Sequence, residues 1–168
     1  MLGNLKKVYS PNFDVNKRKI SNINFIILHY TGMKNEKHAI SRLTNQNSKV
    51  SCHYFINYSG EVLNLVPDLY TSWHAGKSQW KKKKFLNFNS IGIEISNPGH
   101  ENNYKNFNMK QINSLILLVS FLKKKYKIKN SNILGHSDIA PDRKKDPGEK
   151  FPWKLMYKKK LAIWHHKK

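Results

Sequence analysis

Residues 23–31 (INFIILHYT) constrain the fold of this chain more than any other segment. The segment is almost continuously apolar and then ends in polar residues, a pattern typical of a buried strand that carries chemistry at its C-terminal end. A second segment, residues 91–96 (IGIEIS), alternates strictly, with three isoleucines on one face and Gly92, Glu94 and Ser96 on the other. We expect both segments to be strands of one central sheet.

The rest of the chain supplies helices and a hairpin around these strands. The predicted elements are a helix at 36–43, hairpin strands at 51–57 and 61–66, a long helix at Met109–Tyr126, a short apolar strand at 133–134 and a final helix that opens at Pro152. Asn108 followed by Gln111 resembles a capping box that starts the long helix. Strands that alternate with helices, together with the hairpin, predict an α/β fold with a central mixed β-sheet flanked by helices.

The chain has 168 residues, the size of one ordinary domain, and shows neither an internal repeat nor a Gly/Ser-rich linker. We therefore divide it into an N-terminal extension (1–20), a single domain (21–160) and a basic C-terminal tail (161–168). We expect this domain to be a monomer.

The chain is strongly basic, because 31 Lys and Arg against 10 Asp and Glu give a formal charge of +21. Such a charge favours anionic partners, which include nucleic acids, acidic membranes and acidic cell-wall polymers. The basic residues are spread along the chain and none of the common nucleic-acid-binding motifs is present. We therefore favour a generic basic surface over a dedicated nucleic-acid site, and the 39% hydrophobic content excludes a disordered basic tail.

Cysteine content and hydropathy exclude further classes of protein. The single cysteine, Cys52, excludes an intramolecular disulfide framework and a Cys-rich zinc cluster. The sequence contains no run of about 18 apolar residues, so we predict no transmembrane segment. The first residues are charged and lack the apolar core of a secretory signal, so we expect a cytoplasmic location, with periplasmic or wall-associated action by another route left open.

Three of the eight histidines stand in unusual contexts: His29 ends the buried strand, His74 lies in SWHAG, and His136 begins HSDIAPDRKKDPG. We interpret four others as surface or structural residues: His38, His100, His165 and His166. A catalytic zinc site needs about three protein ligands and one open position. His29, His136 and Asp146 could supply two imidazoles and a carboxylate, although an iron site with the same ligand types fits equally well.

Glu94 is a second candidate, because it lies between two isoleucines of a strand that we expect to be largely buried. A buried carboxylate usually pairs, binds a metal or has a raised pKa, whereas a solvated strand face would leave Glu94 unremarkable. Near a metal-activated water it would be the expected general base. Lys144, two residues before Asp146, is either an oxyanion-stabilising cation or one more surface lysine.

Five segments carry a resemblance to a known family: FIILHYT, VSCHYFINYSGEVLNLVPD, SWHAGKSQW, NSIGIEISNPGH and GHSDIAPDRKKDPGEKFPW. In this order they resemble the zinc-dependent type-2 N-acetylmuramoyl-L-alanine amidases of the AmpD/AmiD type, with the AmiD branch most similar. The resemblance covers roughly residues 20–157. These amidases are relatives of phage lysozyme-like amidases and of peptidoglycan recognition proteins.

The resemblance implies roles for individual residues. It implies that His29, His136 and Asp146 bind Zn²⁺, that Glu94 is the catalytic carboxylate, and that Lys144 is the family's lysine two positions before the aspartate ligand. Lys145 is adjacent and competes for that last role.

Other residues of these segments are expected to surround the site. His74 and Trp73 match a segment that borders the substrate groove, so we expect them to bind substrate. His53 is expected to support the site structurally, and Cys52 stands where some relatives carry a tyrosine that assists catalysis.

The resemblance implies hydrolysis of the amide bond between N-acetylmuramic acid and the L-alanine of peptidoglycan stem peptides, in cell-wall turnover, recycling or lysis. The expected partners are peptidoglycan fragments (muropeptides) or the cell wall. Two related readings stay open at this point: a non-catalytic peptidoglycan-binding module, and a phage-type lysin that uses the same chemistry on intact wall.

Overall fold

The computed structural model describes residues 5–163, so residues 1–4 and 164–168 lie outside the described part, together with His165, His166 and most of the basic tail. The strands are β1 (Lys6–Lys7), β2 (Phe13–Asp14), β3 (Phe25–Tyr30), β4 (Tyr54–Ile56), β5 (Val62–Asn64), β6 (Thr71–Ser72), β7 (Gln79–Trp80), β8 (Lys83–Lys84), β9 (Ser90–Ile95) and β10 (Ile133–Gly135). The helices are α1 (Glu36–Thr44), α2 (Met109–Tyr126), α3 (His136–Ile139) and α4 (Trp153–Lys158).

Six strands form a mixed sheet in the order β1-β5-β4-β9-β3-β10. The pairs of β3 with β9 and β10, and of β4 with β9, are parallel, whereas β4 and β5 form the predicted antiparallel hairpin. The predicted α/β fold with a central mixed sheet is therefore confirmed. The two segments singled out first, β3 and β9, are neighbours at the centre of this sheet.

One face of the sheet carries the main hydrophobic core. Ile26 and Leu28 of β3 point into it together with the three isoleucines of β9, and α2 covers them with Ile112, Leu115, Leu118, Val119 and Leu122. The α2 bounds are those predicted, and the capping box of Asn108 and Gln111 is present. The sequence pattern of this face therefore determines where the long helix packs.

The opposite face of the sheet carries the functional side chains. His29 and Glu94 are register partners on β3 and β9, so their side chains lie on the same face. Around them this face is covered by the segment 73–86, by α1 and by α3, with Ile27, Phe55 and Ala75 fully buried. It is therefore largely enclosed by protein, which leaves a local opening at the C-terminal ends of β3 and β9.

Several short elements were not predicted from the sequence. Helix α3 begins in a segment for which we predicted no helix, and the Asp138 side chain stabilises its first turn by accepting a hydrogen bond from the Gly135 N–H (2.7 Å). The segment that we separated as an N-terminal extension contributes β1, which pairs with β5, and β2, which pairs with β6. Within residues 5–163, no helix has the length and apolar character needed to cross a membrane.

Candidate active site

Three side chains meet at the C-terminal edge of the sheet. His29 is near the end of β3, and His136 directly follows β10, the parallel neighbour of β3. The loop after α3 returns to this edge and brings Asp146 to it, held by a hydrogen bond from the Ser137 N–H to the Asp146 carbonyl (2.8 Å). Parallel strands thus bring residues that are 107 positions apart into direct contact.

The three side chains place their electron-pair donors at one point. His29 Nδ1 lies 2.9 Å from His136 Nδ1 and 2.9 Å from Asp146 Oδ2, and His136 Nδ1 lies 3.0 Å from the same oxygen. Ligand atoms on one tetrahedral zinc ion at about 2.0–2.1 Å lie roughly 3.3 Å apart, so the triangle fits a small cation after slight expansion. All three residues are buried. They form a candidate metal site.

Electrostatics prepare these groups for a cation. Burial, reinforced by the neighbouring His136, lowers the pKa of His29 to about 4. Burial alone would raise the pKa of Asp146, but its contacts with His136 and His29 hold that pKa well below the usual range. At neutral pH the site therefore holds a neutral His29 and an ionised carboxylate, the forms that bind metal ions.

Glu94 lies beside this triangle with an unused oxygen. Its side chain is half-buried, and its Oε2 is inaccessible and has no hydrogen-bond partner among the described residues. Burial and the nearby Asp146 carboxylate raise the pKa of Glu94 well above its ordinary value, while Lys144 partly opposes them. Glu94 is therefore neither fully solvated nor fully enclosed, because it is half-buried on the wall of the opening.

The two adjacent lysines differ in their surroundings. Lys144 is half-buried and its charge acts on the pKa of both Glu94 and His29, whereas Lys145 is exposed. Both line a cleft of about 550 Å³ whose wall also contains His29, Glu94, His136 and Asp146. The geometry favours Lys144 as the cation that faces the candidate metal site.

Trp73 and His74 also line this cleft, but their polar atoms point into the protein. The Trp73 indole N–H donates to Asp14 Oδ1 (2.8 Å), and His74 contacts His29 Nε2 through Nδ1 (3.0 Å) and Ser90 Oγ through Nε2 (3.1 Å). Only their ring surfaces therefore remain for the substrate contacts that we expected. Sequence reasoning did not detect Ser90, because nothing in its neighbourhood marks it as a partner of His74.

His53 and Cys52 lie behind the site. The His53 N–H at Nε2 donates to the Tyr70 carbonyl (3.0 Å), and the Gly92 N–H donates to His53 Nδ1 (3.0 Å). These contacts support the structural role that we expected for His53. Cys52 is completely buried among apolar side chains, and burial raises the pKa of its thiol, so it is absent from the cleft wall and poorly placed to replace a tyrosine there.

The buried histidines make the metal-free protein sensitive to acid. Burial lowers the pKa of His29 to about 4, that of His53 to about 3, and that of His74 well below its ordinary value. At these three groups the unfolded chain binds more protons than the folded protein below about pH 6.5, so the stability that they contribute falls as the pH drops from there toward 4. The raised pKa of Glu94 opposes this change, but it is one group against three. We expect each histidine to contribute up to about 1.4 kcal/mol per pH unit to this slope.

Chemical denaturation of the metal-free protein between about pH 7 and pH 4.5 measures this slope. The matched control is His38→Asn, because His38 is exposed on α1, and we expect its slope to equal that of the unmodified protein. A free energy of unfolding that stays constant over this pH range would contradict the assignment of buried neutral histidines.

Comparisons with known proteins find relatives that are amidases. A family model described as N-acetylmuramoyl-L-alanine amidase (Amidase_2) matches residues 19–149. N-acetylmuramoyl-L-alanine amidase AmiD of Escherichia coli (strain K12) is 35% identical over 154 residues, which is 84% of this chain and 55% of AmiD. The 1,6-anhydro-N-acetylmuramyl-L-alanine amidase AmpD of Haemophilus influenzae is 28% identical, over 91% of this chain and 90% of that protein.

Solved structures of amidases are also similar to this chain. AmpDh3 of Pseudomonas aeruginosa, in complex with anhydromuramic pentapeptide, superposes with a TM-score of 0.80 at 31% identity, covering 90% of this chain and 64% of that one. E. coli AmiD, in complex with the substrate anhydro-N-acetylmuramic acid-L-Ala-D-gamma-Glu-L-Lys, gives 0.79 at 32% identity, covering 90% and 61%.

The chain spans about half the length of AmiD. The family match extends over most of the chain and includes the region of all three candidate ligands, and the resemblance seen in the sequence is confirmed. The chain belongs to the N-acetylmuramoyl-L-alanine amidase family.

Proposed function

We propose that this protein is a zinc-dependent N-acetylmuramoyl-L-alanine amidase, which hydrolyses the amide bond between the lactyl group of N-acetylmuramic acid and L-alanine. One observation carries the proposal. The metal-donor triangle of His29, His136 and Asp146 lines the same cleft as Glu94, whose Oε2 has no hydrogen-bond partner among the described residues. A non-catalytic binding module would need neither a complete ligand set nor a half-buried carboxylate beside it.

The donor set fits zinc. Two imidazole nitrogens and one carboxylate oxygen are the ligands of many catalytic zinc sites, and three protein ligands leave a position open. When bound here, zinc supplies Lewis-acid activation of a carbonyl group and of a water molecule. The same three ligands also suit iron, and family membership favours zinc over iron.

Glu94 is proposed to move the proton. Its side chain lies on the wall of the cleft and no described residue hydrogen-bonds to its Oε2, so this carboxylate is the group that we propose to accept a proton from the attacking water. Its raised pKa helps it to hold this proton and then to deliver it to the nitrogen of the leaving L-alanine. One carboxylate thereby serves as base in the first half of the reaction and as acid in the second.

Lys144 is proposed to stabilise negative charge. Lys144 lines the same cleft as Glu94 and His29, and its charge affects the pKa of both groups. Negative charge develops on the carbonyl oxygen in the transition state, and the ammonium group is proposed to stabilise it. Because the Lys144 ammonium group is already in place in a partly dehydrated cleft, it stabilises this negative charge without a rearrangement of the site.

The proposed substrates are muropeptides. The solved structures of the relatives AmpDh3 and AmiD are complexes with an anhydromuramic peptide, and the cleft of this chain is formed by the same fold. Stem peptides contain several carboxylates, and Arg42 on the cleft wall, within a chain of charge +21, provides complementary charge.

Mass spectrometry of a purified N-acetylmuramoyl tripeptide tests the proposed reaction. With zinc-loaded protein we expect release of the free tripeptide that begins with L-alanine, and no release from a chelator-treated sample. An anhydro-N-acetylmuramoyl tripeptide, tested in parallel, establishes which sugar the cleft accepts. Intact peptide in all samples, with zinc confirmed bound, would favour the binding-module alternative.

Replacement of Glu94 separates catalysis from metal binding. In Glu94→Gln we expect kcat to fall at least about 100-fold, because the amide cannot accept the proton. Zinc content measured by elemental analysis should stay at one ion per chain, whereas His136→Ala should lose it. Full turnover in Glu94→Gln would remove Glu94 from the mechanism.

The two neighbouring lysines provide a matched pair. In Lys144→Ala we expect kcat to fall about 100- to 1000-fold, the usual effect of losing one electrostatic contact to the transition state. Lys145→Ala removes the same charge one residue away, on an exposed side chain, and should stay within about threefold of the unmodified enzyme. The reverse ranking in a steady-state assay would assign the role to Lys145.

A further inference from the structure

The two histidines of the candidate metal site are both held from behind by one short segment, residues 74–75. His29 Nε2 contacts the ring of His74, and His136 Nε2 contacts the carbonyl oxygen of Ala75 (3.2 Å). Both contacts are made by the ring nitrogen that points away from the metal-donor triangle. The segment therefore acts on both ligands at once.

The contact to His29 has a defined direction. A carbonyl oxygen only accepts, so the Ser90 hydroxyl donates to the Leu86 carbonyl (2.6 Å), and its oxygen accepts from His74 Nε2–H (3.1 Å). A neutral imidazole carries one N–H, which leaves His74 Nδ1 as an acceptor. His29 must then donate from Nε2 to His74 Nδ1 (3.0 Å), and its own Nδ1 keeps a free electron pair.

The contact to His136 leads to the same tautomer. Because the Ala75 carbonyl only accepts, His136 donates from Nε2, and its Nδ1 is left with an electron pair that faces Asp146 Oδ2. Without a cation the triangle would bring three electron-pair donors together at about 3 Å. The surrounding protein thus prepares both rings for metal binding.

Backbone contacts fix the segment in this position. Asn87 Oδ1 accepts from the backbone N–H groups of His74 (3.2 Å) and Ala75 (2.7 Å), and Arg143 Nη2 donates to the Ala75 carbonyl (2.5 Å). The ring of His74 lies directly over Gly92, where a Cβ atom would come within 2.3 Å of His74 Cγ. Only glycine on the central strand leaves room for this ring.

We propose that His74 is a positioning residue, which accepts the Nε2–H of His29 and thereby fixes His29 as an Nδ1 ligand of the metal. The inference rests on the metal site of the proposed function but concerns ligand orientation rather than the reaction. An outer partner that fixes the tautomer of a ligating histidine usually contributes 10- to 100-fold to metal affinity. His74 is an uncharged partner, so the positive charge of the bound ion is not reduced as it would be by a carboxylate.

Zinc affinity of His74 variants tests the proposal without substrate. In a competition titration with a chromophoric chelator we expect His74→Leu to bind zinc about 10- to 100-fold more weakly than the unmodified protein. His74→Asn places an amide oxygen at the position of Nδ1, so it can still accept from His29 and should stay within about threefold. His38→Asn, on the exposed side of α1, is the matched control and should leave the affinity unchanged.

Ser90→Ala is a milder variant that leaves the ring of His74 in place. It removes the acceptor for His74 Nε2–H, so that His74 can shift its proton to Nδ1 and oppose His29. We expect zinc affinity to fall by less than about tenfold, with a thermal midpoint of the metal-free protein close to the original. This variant keeps the proposal testable if His74→Leu does not fold.

A spectroscopic measurement reports the tautomer directly. In the zinc-loaded protein labelled with ¹⁵N-histidine, long-range ¹H–¹⁵N spectra should show His29 protonated at Nε2 and metal-bound at Nδ1, as they should in His74→Asn. Equal zinc affinity in His74→Leu and the unmodified protein, or His29 bound through Nε2, would overturn the proposal while leaving the amidase assignment intact. An unmodified protein that binds no zinc would overturn the proposed function together with this inference.

Discussion

The parallel pairing of β3 with β9 is the constraint on which the rest of the site depends. This register places His29 opposite Glu94 on one face of the sheet while the alternate residues fill the main core. A shift of one residue would move every side chain of a strand to the other face. The isoleucines on the core face, packed against α2, therefore hold the face with His29 and Glu94 in register.

The electrostatic environment of the candidate site differs from that of the rest of the protein. The chain carries a charge of +21, yet the candidate site contains a buried carboxylate, a second carboxylate with a raised pKa, and a buried histidine that is neutral at pH 7. Burial keeps His29 uncharged, because a positive charge there would lose its hydration. The site is thus a small electron-rich centre within a basic protein, which favours a divalent cation over a proton.

Much of the fold was predictable from the sequence, because the strongest patterns belong to the elements that carry the core. The isoleucine alternation identified β9, the apolar run identified β3, and the capping box of Asn108 gave the start of α2. The two-residue strands β1, β2, β6, β7 and β8 were not predictable, since two backbone pairs leave no periodicity to read. Helix α3 was missed because it is a single turn, stabilised by the local contact of Asp138 with Gly135.

The candidate site was predictable in part. Residue types alone left zinc and iron as equal choices for His29, His136 and Asp146, and they left Glu94 undecided between a solvated and a buried position. The resemblance favoured zinc and a catalytic Glu94. The fold then showed that the three side chains meet in space, which spacing along the chain cannot show. Neither the residue types nor the resemblance could predict the orientation of His74, because it depends on where Ser90 and the Leu86 carbonyl lie in space.

Gly92 shows how closely the core and the site are coupled. In the sequence pattern of β9, Gly92 is expected to destabilise the strand, since glycine inside a strand contributes no side-chain packing and makes the backbone more flexible. In the structure its missing side chain makes room for the His74 ring, and its N–H donates to His53. Glycine therefore lowers the stability of the strand locally, at a position where a side chain would displace the His74 ring that contacts His29. The neighbouring isoleucines offset that loss through the core that they share with α2.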